Sequence, residues 1–358
     1  MRFNKIKLVC LEAAVGGLIL ISGCSLNNEP RMRLGSYATD TLGTNFLDMN
    51  SLGRHSYAYP LFENNGIVYT CRGGHIDIAH LRINADNVRY LYYKVRKNLL
   101  SGNHDFTFKL NVESSTYFVT IDYPPDWNLK TQEEKETIVD EIAIELSQYY
   151  TFTMTTWHEV LTWFGYKCMG IVPEQPSAFS WEDIYSNLMG IKIGTEVLMD
   201  KSYGYNGYNK AVTLAMRKEL EDLGIQSAQT ARHASAKMRG IWYDGTLFID
   251  MKIRNFDIGT DDGFVTPMLV PGICEGAEPK PYPVPTLEKF HKYGFDMSLE
   301  IEPREFESGQ IISAIYPEKG HKRIRPVQDI PVIMEYIKKQ QEEKTLAQKK
   351  QIEIQAIR

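Results

Sequence analysis

The sequence predicts a helix-dominated α+β fold: a single domain with one β-hairpin and a few C-terminal strands. Three observations predict this class. Several long segments have the helical period, two short alternating segments flank a turn near residue 114, and the chain beyond Gly240 is rich in Gly, Pro and Asp. The 358 residues are 43% hydrophobic, which is enough to build a sizeable core.

The longest predicted helix covers about 131–164 and ends before Gly165, a typical stop residue. Its apolar residues recur mostly at three- and four-residue steps: Ile138, Ile142, Leu146, Tyr149, Phe152, Trp157, Leu161 and Phe164. Further helices are predicted at 76–98, 209–223 and 227–239, and Ser180 with Asp183 has the spacing of a capping-box variant that starts another.

The strand predictions depend on alternation and on β-branched or aromatic residues. Residues 106–111 and 117–122 alternate around a turn at Glu113 and are typical of a hairpin. Segments 246–253 and 296–302 are predicted as later strands.

The N-terminus has the features of a bacterial lipoprotein signal peptide. Basic residues within the first seven positions precede an apolar stretch, and residues 21–24 (Ile-Ser-Gly-Cys) resemble a lipobox. Cleavage would leave a lipidated Cys24 that anchors the protein to a membrane. Because Ser25 is not Asp, resemblance to Gram-negative lipoproteins predicts the outer membrane, facing the periplasm. We therefore divide the chain into a signal peptide (1–23), a polar tether (24–50), a globular α+β domain (51–325) and a charged helical tail (326–358).

Charge and cysteine content exclude some classes of protein. The net charge is −5 with no basic patch, so nucleic acid is not an expected partner. Beyond Cys10 and Cys24, the cysteines are Cys71, Cys168 and Cys274, which allow at most one disulfide, and the pairing is left open. No Cys-x-x-Cys spacing occurs, which excludes a thiolate zinc ribbon.

The pair His158-Glu159 lies near the end of the longest predicted helix. Zinc hydrolases place His and Glu in this order, one as ligand and one as general base, with a second His four positions after the first. Here that position is Thr162, so the helix carries half of the motif. Large apolar neighbours favour a raised pKa for Glu159 and general-base chemistry. The alternative interpretation of this pair is purely structural: a hydrogen-bonded His in the core beside a salt-bridged Glu.

Asp77 and His80 are three residues apart, a spacing in which helices offer carboxylate and imidazole to one metal. The alternative is a carboxylate that only stabilises a helix N-terminus. Two further stretches are candidates: Glu182 and Asn187 for lining a cleft, and Arg254 either for clamping an anion or for fastening a loop.

The first functional hypothesis is a metal-dependent hydrolase of the periplasm. Asp77, His80 and His158 would hold a divalent metal, with zinc favoured, and Glu159 would be the base. Neighbouring helical residues point about 100° apart, so Glu159 and His158 cannot both aim at one ion. The alternative is a non-catalytic lipoprotein that binds or scaffolds an envelope component. A third reading is a cysteine hydrolase that uses Cys71 with His75 or His80.

Four ordered motifs resemble the bacterial lipoprotein family catalogued as domain of unknown function 4056. They are residues 72–82 (Arg-Gly-Gly-His-Ile-Asp-Ile-Ala-His-Leu-Arg), 158–165 (His-Glu-x-x-Thr-Trp-x-Gly), 177–187 (Ser-Ala-Phe-Ser-Trp-Glu-Asp-x-Tyr-Ser-Asn) and 254–257 (Arg-Asn-Phe-Asp). The resemblance covers about 52–303 and implies an envelope lipoprotein. It implies no activity, so the site assignment depends on the residues alone.

Overall fold

The computed structural model describes residues 29–110, 113–168, 172–173, 175–204, 207–245, 249–316, 318 and 320–356. The described helices are α1 (Ile78–Leu100), α2 (Gln132–Trp163), α3 (Asp183–Met199), α4 (Tyr208–Asp222), α5 (Ala228–Lys237), α6 (Glu288–Lys292), α7 (Ser308–Ile315) and α8 (Pro326–Ala356). The strands are β1 (Ile67–Thr70), β2 (Gly74–Asp77), β3 (Asp105–Phe108), β4 (Thr116–Asp122), β5 (Lys167–Cys168), β6 (Val172–Pro173), β7 (Tyr243–Asp244), β8 (Asp250–Met251), β9 (Phe264–Val265), β10 (Tyr282–Pro283) and β11 (Asp296–Glu302). The predicted helix-dominated α+β class is confirmed.

The predicted signal peptide and Cys24 lie outside the described residues. Among the residues that are described, no helix combines the length and the hydropathy that a membrane crossing requires.

Local signals set the boundaries of the helices. Thr131 and Glu134 form a reciprocal capping box at the start of α2, and Gly165 follows its end with φ +105°. Asp77 caps α1 by accepting a hydrogen bond from the backbone N–H of Ala79. The start of α3 differs from the prediction, because the N-cap is Glu182 and the helix begins at Asp183.

Helix α1 packs against both α2 and α3 and forms the centre of the core. The close approach of α1 and α3 requires glycine at two positions of α3. A Cβ at Gly190 would lie 2.3 Å from the carbonyl oxygen of Leu81, and one at Gly194 would lie 2.8 Å from that of Ala85. The first turns of α1 and α3 and the last turns of α2 therefore meet in one region of the molecule.

The predicted hairpin is present as β3 and β4, with pairs from Asp105↔Thr120 to Phe108↔Tyr117. Strand β11 matches the predicted segment 296–302 and adds to the other edge of β4. The predicted strand at 246–253 is shorter. Only β8 forms within its described part and pairs with β7, while residues 246–248 lie outside the described residues.

Residues 29–50 belong to the folded body, so the prediction of a tether does not hold for this part. Ala38 and Leu47 are buried, and Phe46 forms a β-bridge with Ile67. The segment's few apolar residues have no period that identifies them as core. Below, "the strap" denotes residues 29–38, which cross the region where the three helices meet.

The strap is held by buried ion pairs. Arg33 contacts Glu63 and Asp86 at 2.8 Å each, with all three side chains buried. Arg31 also bonds to Glu63. Charges that leave water must be paired, so this cluster ties the strap to α1 and to the loop before β1.

The C-terminal segment is helical as predicted, and α8 also packs onto the body. Ile330, Ile333, Met334 and Ile337 are buried at three- and four-residue steps.

Candidate functional site

Two cavities lie beneath and beside the strap. The first has a volume of about 130 Å³ and the second about 230 Å³. They share five lining residues: Leu34, Gly35, His80, His158 and Glu159. The structure thus brings three of the four residues predicted from the His-Glu and Asp-x-x-His motifs onto one cleft, although they come from α1 and from the far end of α2.

His80 is held between two carboxylates. Its Nδ1 atom lies 3.0 Å from Oδ1 of Asp183, and its side chain is 23% exposed. Burial lowers the pKa of the imidazole, but the negative charges of Asp183 and Asp77 outweigh that effect and raise the pKa well above the usual value. His80 is therefore protonated at neutral pH.

Asp77 performs the structural role that was the alternative prediction. Its carboxylate accepts from the N–H of Ala79 at 2.6 Å and from the N–H of Ser36 in the strap, also at 2.6 Å. The side chain is fully buried and lines neither of the two cavities. Burial raises its pKa, while the charge of His80 opposes that rise.

His158 is oriented by a carboxylate that the sequence had presented as part of a turn. Its Nδ1 atom is 2.9 Å from Oε1 of Glu113, which is fully buried as a side chain. Glu113 also accepts from the hydroxyl of Tyr117 at 3.1 Å. Burial raises the pKa of Glu113, and the hydrogen bond from His158 opposes that rise.

Glu305 secures the loop that carries Glu113. Its carboxylate accepts from the N–H of Ser114 at 2.8 Å and from the N–H of Ser115 at 2.7 Å. Because Ser115 also accepts from the indole of Trp157, the loop is joined to α2 beside His158.

Glu159 leaves the helix about 100° from His158, as the geometry of neighbouring helical residues requires, and both side chains line the cleft. It accepts from the N–H of Phe179 at 2.7 Å and is 3% exposed. Phe179 adopts φ +53°, which is uncommon for a residue with a side chain. Burial first, and then the charge of Asp183, raises the pKa of Glu159 to about 7. The predicted pKa shift of this carboxylate is therefore present.

Glu182 and Asn187 differ in their relation to the cleft. Asn187 lines the first cavity and accepts from the amide of Asn84 at 2.7 Å. Glu182 is buried, accepts from the N–H of Ala38 at 3.0 Å, and has its pKa raised well above normal by burial and by the charge of Asp183. Glu182 thus holds the end of the strap.

The described donors around the cleft are imidazoles and carboxylates. Imidazole and carboxylate are suitable zinc ligands by type. Within the described ranges, however, no group of three or more His, Cys, Asp and Glu side chains is arranged to hold a metal ion. His80 would also have to lose its proton before it could bind one.

The reading of a cysteine hydrolase is wrong. Cys71 forms a disulfide with Cys274, so it has no thiol to act as a nucleophile. His75 is buried against Tyr69 and Trp181, and burial lowers its pKa to about 3.

The loop interpretation of Arg254 is confirmed. The guanidinium donates to the carbonyl of Ala178 and lies 5.1 Å from the ring centroid of Trp163. Asp257 accepts from the N–H groups of Gly259 and Thr266, as in an Asx turn.

Sequence reasoning missed the two partners of the histidines, Glu113 and Asp183. Each had an ordinary local explanation, a turn for the first and a helix cap for the second. Neither is near its histidine along the chain, so no spacing rule connects them. The strap was missed for the same reason.

The fold and the cleft define a helix-dominated α+β protein with paired imidazoles and carboxylates around a strap-covered cavity. A family model described as "Protein of unknown function (DUF4056)" matches residues 37–262, and the chain belongs to this family. Neither a curated protein nor a solved structure matches the chain.

Proposed function

We propose that this protein is a lipid-anchored enzyme of the bacterial envelope whose cleft performs general acid–base hydrolysis. The observation that carries the proposal is the convergence of His80, His158 and Glu159 on one cleft, with each imidazole held at Nδ1 by a buried carboxylate. Histidines that only fill a core do not need two such carboxylate partners beside one cavity.

The raised pKa values of an acid and a base assign the roles of two residues. Glu159 has a pKa of about 7, so it can accept a proton near neutral pH, whereas His80 carries a proton. In a hydrolysis, Glu159 takes a proton from water while the water oxygen attacks the electrophilic carbon. His80 gives its proton to the leaving group. His158, oriented by Glu113, contacts the bound substrate from the same side of the cleft.

A metal-dependent hydrolase is the second candidate, and one observation favours it. Metal-binding histidines usually give their other ring N–H to a carboxylate, which is the relation of His158 to Glu113, and Nδ1 of His80 also lies 3.0 Å from Oδ1 of Asp183. Of the predicted ligands Asp77, His80 and His158, the two histidines line the cleft. The ion, zinc by preference, would supply a polarised water. A non-catalytic protein that binds or scaffolds an envelope component remains the alternative outside catalysis.

The proposed location rests on the N-terminal sequence and on the disulfide bond. Residues 21–24 supply the lipobox, and lipidation of Cys24 would anchor the protein to the outer membrane on its periplasmic side. The disulfide between Cys71 and Cys274 supports this location, because such bonds persist in the periplasm and are rare in the cytosol.

The experiment combines metal analysis with a hydrolase screen on the full chain, purified without a histidine tag or a chelator. We expect an activity that Glu159→Gln abolishes and that His80→Asn lowers at least about a hundredfold, while exposed Glu221→Gln leaves it unchanged. Near-stoichiometric metal that is lost in His80→Asn and His158→Asn would favour the second candidate. Equal results for Glu159→Gln and Glu221→Gln in every assay would overturn the enzyme proposal in favour of the binding protein.

A further inference from the structure

An exposed aromatic patch lies where the strap begins. The short 3-10 turn Pro60–Phe62 buries none of its residues, and Tyr59, Leu61 and Phe62 are 62%, 74% and 56% exposed. Three large apolar side chains that are exposed side by side typically mark a binding surface. These three residues are called the aromatic patch.

An exposed cation lies beside one ring of this patch. The guanidinium of Arg54 is 5.2 Å from the ring centroid of Phe62. Aromatic rings beside an exposed cation suit the headgroup level of a bilayer, because aromatic side chains are enriched there and basic residues attract anionic lipids.

The patch lies close to the point where the chain leaves toward Cys24. Arg31 donates to the carbonyl oxygen of Ser56 at 3.2 Å and bonds to Glu63. These two residues lie just before and just after the aromatic patch in the sequence. Glu29 lies beside Tyr90 and Lys94 on α1. The start of the strap is thus fixed against the patch.

The length of the connection then decides which face of the protein meets the membrane. Arg31 lies seven positions after Cys24 in the sequence, and these seven steps span at most roughly 25 Å when fully extended. A globular body of this size has a radius of gyration of roughly 20 Å. A bilayer that holds Cys24 is therefore within reach of the half of the body that carries the patch, and out of reach of the opposite half.

We propose that the aromatic patch docks on the phospholipid surface in which Cys24 is anchored, with Leu61 and Phe62 inserted at the headgroup level. This inference rests on the proposed lipidation and is independent of the proposed chemistry. It fixes the orientation of the body, with the first part of the strap lying along the membrane.

The test is a depth measurement on the full chain, expressed with its signal peptide and reconstituted in vesicles of phosphatidylethanolamine with a minority of phosphatidylglycerol. Leu61→Cys is labelled with an environment-sensitive fluorophore, and Ile241→Cys is the matched control. Ile241 is 60% exposed and lies near Arg239, which bonds to Asp40 beyond the far end of the strap. The unsubstituted chain, labelled in the same way, supplies the background.

We expect doxyl-labelled lipids to quench the Leu61→Cys probe by about half or more and to leave the Ile241→Cys probe unchanged. Mass spectrometry of the N-terminal peptide shows whether the protein carries acyl chains. If it does, equal and weak quenching of both probes would overturn the docking inference and leave the proposed anchor in place. An N-terminal peptide without acyl chains would overturn both the inference and the proposed anchor. Unchanged thermal unfolding of Leu61→Cys verifies that the variant is folded.

Discussion

Nδ1 of His80 lies 3.0 Å from Oδ1 of Asp183, and the two residues belong to the first turns of two different helices. A helix N-terminus favours negative charge and disfavours positive charge. The imidazolium of His80 is therefore maintained by carboxylates and not by its helix. Removal of Asp183 would leave Asp77 as the other carboxylate that compensates the charge of His80.

We predict that His80→Asn destabilises the protein most at acidic pH. The folded-state pKa of His80 is raised, so the stability that its charge contributes is fully present below the usual pKa of 6.5. That contribution is lost as the pH rises through the raised pKa. The variant should be about 2 kcal/mol less stable at about pH 6, with a smaller difference at high pH.

Urea unfolding at several pH values measures this difference. His233→Asn is the matched control, because His233 is exposed on α5. A His80→Asn variant as stable as His233→Asn at acidic pH would show that His80 carries no buried charge.

We predict that Glu159→Gln raises stability at alkaline pH. The folded-state pKa of about 7 exceeds the usual 4.5, so ionisation of Glu159 costs the folded state stability as the pH rises between these values. An amide of the same shape avoids that cost. The variant should be about 3 kcal/mol more stable than the natural chain at about pH 8 and nearly equal to it at about pH 4.

Differential scanning calorimetry across this pH range gives the comparison. The control is Glu221→Gln, at an exposed position of α4, which should leave the pH dependence unchanged. A parallel pH dependence in all three proteins would mean that Glu159 titrates normally.

We predict that a methyl group at Gly35 disturbs the cleft. Its Cβ would lie 2.8 Å from Nε2 of His80, which is too close, and 3.1 Å from Oδ2 of Asp77, which is a tight contact. The strap or the imidazole must shift, so Gly35→Ala should cost about 1–2 kcal/mol of stability and move the pKa of His80.

The same substitution at Gly309 is the control, because nothing lies within 4 Å of its Cβ position on α7. Gly309→Ala should be neutral or stabilise by up to about 1 kcal/mol. Histidine titration by NMR measures the pKa of His80 in both variants, and an unchanged His80 in Gly35→Ala would contradict the close approach of the strap.

We predict that reduction of the single described disulfide lowers the stability of the protein. The disulfide between Cys71 and Cys274 spans 203 residues, and its removal frees a long loop in the unfolded chain. Cys71→Ser with Cys274→Ser should lower the free energy of unfolding by about 3–5 kcal/mol. Unfolding with and without dithiothreitol measures the effect, and the double variant should no longer respond to the reductant.

Much of the local structure was predictable because its causes are local. The cap at Thr131, the stop at Gly165 and the alternation of the hairpin each act within a few residues, and the structure has them in place. The candidates His80, His158 and Glu159 were also identifiable, because acidic and imidazole side chains within apolar helices are conspicuous.

The sequence by itself therefore determined the fold class, most helix boundaries and three residues of the cleft. Only the tertiary structure decided which carboxylates hold the two histidines, that Asp77 faces the strap, and that residues 29–38 cover the cleft. These depend on contacts between residues 41 to 144 positions apart, such as Ser36 with Asp77 and Ala38 with Glu182. No local pattern encodes such contacts, because packing of the three central helices creates them.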